Sequence, residues 1–374
     1  MTMDGGPLGP PGAVVPTRYW HPLADGRVQC DLCPRYCKLR DGQRGLCFVR
    51  ARLDDQIVLT SYGRSSGFCI DPIEKKPLNH FLPGTPVLSF GTAGCNLACR
   101  FCQNWDISKA RDFDALADQA GPEQIARAAV EYGCRSVAFT YNDPVIFHEY
   151  AIDVARACHA VGVRTVAVTA GYVCPEPRAE FYEHIDAANV DLKAFTEQFY
   201  KRICAGHLQP VLETLQYLHR ETDVWLEITT LLITDLNDSD GEIDQLSSWI
   251  VDELGPDVPL HFTAFHPDFK MLDLPSTPPR TLTRAREISL ANGLRYVYTG
   301  NVIDPDGQTT RCHECGTIVI GRDGHALGRW GLDNRGRCAA CGTTCAGVLD
   351  PDGPGSWGGR RLPIRLGNLS GPAQ

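Results

Sequence analysis

Gly94-Cys95-Asn96-Leu97-Ala98-Cys99-Arg100-Phe101-Cys102-Gln103-Asn104-Trp105 follows the short apolar run Val87-Leu88-Ser89-Phe90 and sets three thiols in a C-x3-C-x2-C spacing. Three closely spaced thiolates can hold three irons of a [4Fe-4S] cluster and leave the fourth iron open to a ligand that the chain does not supply. A structural zinc needs four protein ligands, and the residues just after the motif offer none; His80, the nearest upstream histidine, is the one group that could complete a zinc set of three cysteines and one histidine.

On both sides of this stretch, short apolar runs alternate with amphipathic ones. Strands are expected at 87–90, 136–141 and 164–169, then from near 189, 224 and 260, with a seventh candidate at 294–298. Helices are expected over 123–132 and 145–159, and Gly162 and Gly293 sit where helix C-caps belong. A repeat of roughly 30 residues is that of strand-helix units, which build a parallel sheet. In such barrels, functional side chains collect where the strands end, because those loops open on one rim. The motif cysteines follow the first strand, and Asn142, Asp143 and Pro144 end the second. Thr169, Ala170, Gly171 and Tyr172 end the third, Asp191 and Lys193 the fourth. Glu227 and Thr229 lie along the fifth, and His266 ends the sixth. A turn or cap explains any one of these residues, but their recurrence after six strands points to a shared site on that rim.

Two further cysteine groups flank the barrel. Gln29-Cys30-Asp31-Leu32-Cys33-Pro34-Arg35-Tyr36-Cys37, with Cys47, offers four thiolates that suit either zinc or an auxiliary iron-sulfur cluster. Cys312, Cys315, Cys338 and Cys341 form two C-x2-C knuckles, each followed by glycine, the ligand set of a structural zinc ribbon. Between the first group and the barrel, Asp71-Pro72-Ile73-Glu74-Lys75-Lys76-Pro77-Leu78-Asn79-His80 reads as a linker or a substrate-facing loop. The expected organisation is a disordered Gly/Pro/Ala tail over 1–16, a Cys-rich module and lead-in over 17–84, the barrel over 85–303, a four-cysteine zinc-ribbon-like module over 304–349 and a flexible tail over 350–374.

Composition narrows the partners. The 36 Lys and Arg residues against 45 Asp and Glu give a net charge of −9, so no bulk attraction to nucleic acid or to an anionic membrane is expected. Seventeen cysteines, an odd number with eleven in metal-ligand spacing, argue against a disulfide framework and for a reducing cytoplasm. No apolar run is long enough to span a bilayer, and the N-terminus lacks the pattern of a secretory leader.

The C-x3-C-x2-C spacing with Phe101 before the last cysteine is similar to the signature of radical S-adenosylmethionine (SAM) enzymes. With the block 30–47, the stretch 71–78, Asp191-Leu192-Lys193-Ala194-Phe195, Phe265-His266-Pro267, Gly300-Asn301 and the terminal ribbon, the chain resembles the radical SAM protein of the AmmeMemoRadiSam system, among the pyruvate formate-lyase activating enzyme-like proteins. The resemblance implies an α/β fold with a partial (β/α)6 TIM-like barrel. It implies a [4Fe-4S] cluster on Cys95, Cys99 and Cys102, whose electron cleaves SAM to a 5′-deoxyadenosyl radical that takes hydrogen from a substrate. It places Phe101, Asn104, Asn142, Asp143, Thr169, Gly171, Asp191 and Lys193 around SAM, with Lys193 and His266 toward catalysis. Asp143 stands where relatives carry Glu, and Ala170 where they carry Asn. A flavodoxin or ferredoxin would supply electrons, and Memo-type and AMMECR1-type proteins would be companions. The substrate is left as a small molecule or a protein, the latter making this an activase that installs a glycyl radical. A non-catalytic metal-binding adaptor is the reading from another class.

Overall fold

The computed structural model describes residues 14–109 and 118–366. Its centre is a nine-stranded sheet. In chain order the strands are β1 (Phe68–Pro72), β2 (Pro86–Phe90), β3 (Ser136–Phe139), β4 (Arg164–Thr169), β5 (Ala187–Asp191), β6 (Trp225–Leu232), β7 (Leu260–Ala264), β8 (Val297–Gly300) and β9 (Leu362–Ile364). From β2 to β8 each strand pairs parallel with the next; β1 adds antiparallel to β2, and β9 antiparallel to β1. The parallel part is therefore a half-barrel of seven strands, one more than a (β/α)6 unit, because 297–300 joins it.

Six helices cover the outer face: α1 (Pro122–Glu131), α2 (His148–Ala160), α3 (Pro175–Tyr182), α4 (Gln209–Glu221), α5 (Asp240–Leu254) and α6 (Pro279–Ala291). Their sequences say why they form. Proline occupies the first turn of α1, α3, α4 and α6, where no intrahelical N–H is needed. In α1 the buried stripe is Ile125, Ala126, Ala128 and Ala129, and burying Ile125 alone contributes about 2 kcal/mol. Ser239 caps α5 by accepting from the Glu242 amide. Gly162 and Gly293 follow α2 and α6 in the left-handed region, at φ +74 and +105. With helices outside and side chains inside, β3 is buried at every residue, as a parallel strand covered on both faces must be.

Three parts of the chain depart from the sequence reading. The stretch 71–80 is no linker: it ends β1, makes a 3-10 turn at Ile73–Lys75 and runs across the bottom of the half-barrel. There Asn189 on β5 donates to the Pro77 carbonyl at 2.8 Å, and Glu227 on β6 accepts from the Asn79 and His80 amides at 2.9 and 2.7 Å. The C-terminal tail expected over 350–374 is structured as far as 366, with Leu362–Ile364 forming β9. At the N-terminus, Val15–Pro16 pairs with 58–59; the remaining tail residues, 1–13 and 367–374, lie outside the described residues.

Two small antiparallel units flank the sheet. In the first, Trp20–Pro22, Val28–Cys30 and Lys38–Leu39 pair as one sheet, and Val15–Pro16, Gln56–Leu59 and Arg50–Leu53 as another. In the second, Thr310–Arg311, Ile318–Asp323 and Ala326–Trp330 form the sheet that carries the C-terminal cysteines. Among the described residues no helix is long and apolar enough to cross a membrane.

Candidate active site

The loop after β2 is pinned at every turn. Gly94 has φ +85, and a Cβ there would meet the Cys47 carbonyl at 1.8 Å, so only glycine lets the loop pass the N-terminal unit. Asn142 spends both ends of its amide on this loop: its Nδ2 donates to the Gly94 carbonyl at 2.8 Å and its Oδ1 accepts from the Thr92 amide at 3.2 Å. Asn96 donates to the Tyr172 carbonyl at 2.9 Å. On the far side, the Ala98 and Arg100 amides donate to the carbonyls of Cys204 and Ile203, at 2.9 and 3.0 Å. Cys95, Cys99 and Cys102 are thereby presented to one cleft of about 590 Å³ at the C-terminal ends of the strands.

Most of the expected site residues meet there. Phe101, Asn104, Asn142, Asp143, Thr169, Asp191 and Lys193 all line this cleft with the three cysteines. Lys193 Nζ pairs with Asp191 Oδ2 at 2.9 Å and stands 5.9 Å from the centre of the Phe101 ring. Burial alone would push this lysine down, but the Asp191 carboxylate and the Cys99 and Cys204 thiols hold it above the usual lysine value. A hydrogen bond with the Cys204 thiol outweighs burial at Cys99 and, with the Lys193 and Lys109 charges, brings the Cys99 thiol below the usual thiol value. Burial pushes the Cys95 and Cys102 thiols up instead, so of the three only Cys99 is drawn toward the thiolate by the protein alone.

Other expected residues do different work. Asp143 is buried, and its carboxylate accepts from Thr169 Oγ1 at 3.1 Å, the Val145 amide at 3.1 Å and the Ala170 amide at 3.0 Å, which binds the end of β3 to that of β4. Gly171 does not line the cleft; it turns the chain at φ +64 under Thr214, which donates to its carbonyl at 2.8 Å. His266 is exposed outside the cleft, with Nδ1 3.4 Å from the Pro267 carbonyl. Glu227 points into the floor rather than the rim, accepting from Trp225 Nε1 at 3.0 Å and pairing with His261 Nε2 at 2.7 Å. His80 is buried and has both ring nitrogens engaged, with the Ala346 carbonyl at 2.6 Å and the Tyr298 hydroxyl at 2.5 Å, so it is not a fourth ligand for the motif cysteines.

The floor comes from the stretch that the sequence left as a linker or a substrate-facing loop. Glu74, Lys75, Lys76 and Asn79 of that stretch line it, with His261 and Tyr298 from the strands and Arg322 from the C-terminal unit. Asp71 is fully buried and pairs with Lys76 at 2.6 Å and Lys75 at 3.1 Å. Burial would raise its carboxyl; the two lysines hold it well below the usual range instead. Arg322 donates to the Asn79 carbonyl at 2.6 Å, which docks the C-terminal unit on the cleft, and is held by a 2.7 Å bond to Thr310 Oγ1 within its own unit.

The C-terminal cysteines form a compact set. Cys312, Cys315, Cys338 and Cys341 have all four sulfurs within 4.8 Å of one another, with Cys312 and Cys341 at 3.5 Å and Cys315 and Cys338 at 3.7 Å. Sulfurs at about 2.3 Å from a tetrahedral ion lie just under 4 Å apart, so the quartet fits a metal ion. Each knuckle turns on a glycine, Gly316 and Gly342, at φ +73 and +80.

Comparison with known proteins agrees with this geometry. Residues 90–247, from the end of β2 through the first half of α5, match the radical SAM superfamily. A relative from Methanocaldococcus jannaschii, the uncharacterized protein MJ0808, is 38% identical over 304 residues, 81% of this chain and 90% of its own length. Residues 90–247 are thus a radical SAM domain. The chain is also homologous to activating enzymes of the pyruvate formate-lyase type. The 4-hydroxyphenylacetate decarboxylase activating enzyme of Clostridioides difficile is 24% identical over 58% of this chain and 70% of that protein. The pyruvate formate-lyase-activating enzyme of Clostridium pasteurianum is 25% identical over 42% of this chain and 66% of that one. A radical SAM domain implies a [4Fe-4S] cluster and SAM, and three thiols facing one cleft that the neighbouring Cys204 does not line suit an open-iron cluster.

Proposed function

We propose that this protein is a radical SAM enzyme that removes a hydrogen atom from a substrate held in the cleft above the 71–80 floor. The observation that carries the reading is that Cys95, Cys99 and Cys102 line the same cavity as Asp191, Lys193 and the ends of the parallel strands. When bound, the cluster and SAM would supply a 5′-deoxyadenosyl radical. The chain's residues bind and enclose. Cys95, Cys99 and Cys102 would ligate the cluster, and Lys193, kept charged by Asp191, would meet the SAM carboxylate in a charge-assisted bond. Phe101 and Asn104 would lie along the adenosyl part; the Asn104 side chain is already oriented by its 2.9 Å bond to the Tyr141 carbonyl. The C-terminal unit, through Arg322, Gly324 and His325, and the 71–80 floor restrict water in the cavity.

The substrate is a small molecule or a protein. The names of the activating-enzyme relatives support a protein substrate, with this chain installing a glycyl radical on a partner. A flavodoxin or ferredoxin would deliver the electron. Companions of the Memo and AMMECR1 types, and zinc at Cys312, Cys315, Cys338 and Cys341, belong to the same proposal; the compact sulfur set supports the zinc.

The test is anaerobic SAM cleavage. Protein reconstituted with iron and sulfide, then reduced, should yield 5′-deoxyadenosine, and glycyl-radical partners and small-molecule candidates can be compared by how far each stimulates it. A fully loaded cluster that neither cleaves nor binds SAM would overturn the reading.

A further inference from the structure

We infer that Cys30, Cys33, Cys37 and Cys47 hold a second, fully ligated four-iron cluster, which passes electrons to the cluster on Cys95, Cys99 and Cys102. The relay, though not the binding site, rests on the radical SAM reading.

The four thiols line one small cavity, together with Arg35, Arg50 and Asn96. Spacing weighs against zinc here. Sulfurs around one zinc lie within about 4 Å of each other, whereas those around a cube of iron and sulfide stand farther apart. Among the described residues the C-terminal quartet has its ligand atoms all within 4.8 Å, and no three of the N-terminal thiols form such a group. The motif trio forms no such group either.

The cavity wall supplies a second observation. Arg50 is 1% exposed; its Nε donates to the Ile146 carbonyl at 3.1 Å and its Nη2 pairs with Glu149, yet its buried Nη1 has no partner. Arg35 likewise spends its Nε on the Asn96 carbonyl at 2.8 Å and leaves Nη2 buried and unpartnered. Unpaired buried donors are costly, and two guanidinium groups at one cavity suit a ligand that is anionic and rich in acceptors. Thiolates and bridging sulfides provide both.

The two sites are one loop apart. Asn96 lines the N-terminal cavity while the adjacent Cys95 lines the cleft, and Gly94 is pressed against the Cys47 carbonyl. One electron from a flavodoxin- or ferredoxin-class carrier would reduce the outer cluster, which is reoxidised as the same electron moves to the motif cluster. Four thiolates leave the outer cluster no open iron, so it does not bind SAM.

The first measurement is metal and sulfide content of the anaerobically reconstituted full chain. About eight irons and one zinc are expected; about four irons and two zincs would overturn the site. Mössbauer and EPR spectra of the wild type should show two clusters, one altered by SAM and one not. Cys95→Ala/Cys99→Ala/Cys102→Ala should keep about four irons and only the SAM-insensitive signal; a variant that retains zinc alone would again overturn the site. Failure of the radical SAM reading looks different, since the wild type would then give no SAM-sensitive signal while the triple variant still held iron. For the relay, flavodoxin should reduce the motif cluster at least about tenfold more slowly in Cys33→Ser/Cys37→Ser, and an unchanged rate would overturn it.

Discussion

The Ala170 amide donates to the Asp143 carboxylate at 3.0 Å, and that bond joins the turn after β3 to the end of β4. Three donors from the protein already face this buried carboxylate, so its first role is to hold the rim together. Asp143→Ala should therefore destabilise the protein before any ligand is added, by about 2 kcal/mol, because the Ala170 and Val145 amides lose their acceptor in a buried setting. Urea denaturation of metal-free protein checks this. An unchanged midpoint would mean that the carboxylate matters only when SAM is bound.

Cys99→Ala should abolish SAM cleavage, with at least about a thousandfold loss of 5′-deoxyadenosine formation, because two remaining thiolates cannot hold the open-iron cluster. Circular dichroism should be unchanged, since the loop keeps its backbone bonds from Ala98 and Arg100 to the 203–204 segment. Activity in this variant would sink the cluster assignment.

The half-barrel was legible because parallel strands covered on both faces are near-continuous apolar runs at regular spacing, and β2 to β7 fall where the periodicity puts them. The motif cysteines, Asp191 and Lys193 were legible because strand ends share one rim. The floor was hidden for a different reason. Lys75, Lys76 and Glu74 read as solvated loop residues, and only long-range partners reveal that the segment is buried: Glu227 is about 150 residues from Asn79, and Arg322 is farther still. His266 misled because a histidine at a strand end looks the same in sequence whether it turns in or out. β9 was missed because a three-residue strand at a sheet margin carries no periodicity of its own.

Cys338→Ser should lower stability rather than chemistry. Its quartet sits on a small apolar cluster of Tyr296, Tyr298, Val319 and Ile320, and Tyr298 links that cluster to His80 in the floor. Loss of the metal should lower the melting temperature by roughly 5 °C or more and reduce bound zinc to near zero, while iron on the motif cysteines is retained. Calorimetry with metal analysis reads both. A folded variant that keeps its melting temperature but loses turnover would instead assign the ribbon a role in docking the substrate.

Glu74 should make stability fall as the pH rises through neutrality. Burial pushes its carboxyl up to about 7, against the Arg322 charge and the Gly84 amide that favour the carboxylate, while Glu227 adds to the rise. One oxygen accepts from the Gly84 amide at 2.7 Å, and the other is buried in the cleft wall without a partner. Since the folded pKa lies above the unfolded one, the folded state binds the extra proton between about 4.5 and 7. The stability at low pH is thus lost progressively across that window, and the deficit is complete above it. Glu74→Gln keeps an acceptor for Gly84 and removes the titration. The variant should match the wild type near pH 4.5 and exceed it at pH 8 by on the order of 2 kcal/mol. Denaturation curves of both proteins across pH 4.5–8 check this, and parallel pH profiles would show that Glu74 stays ionised in the fold.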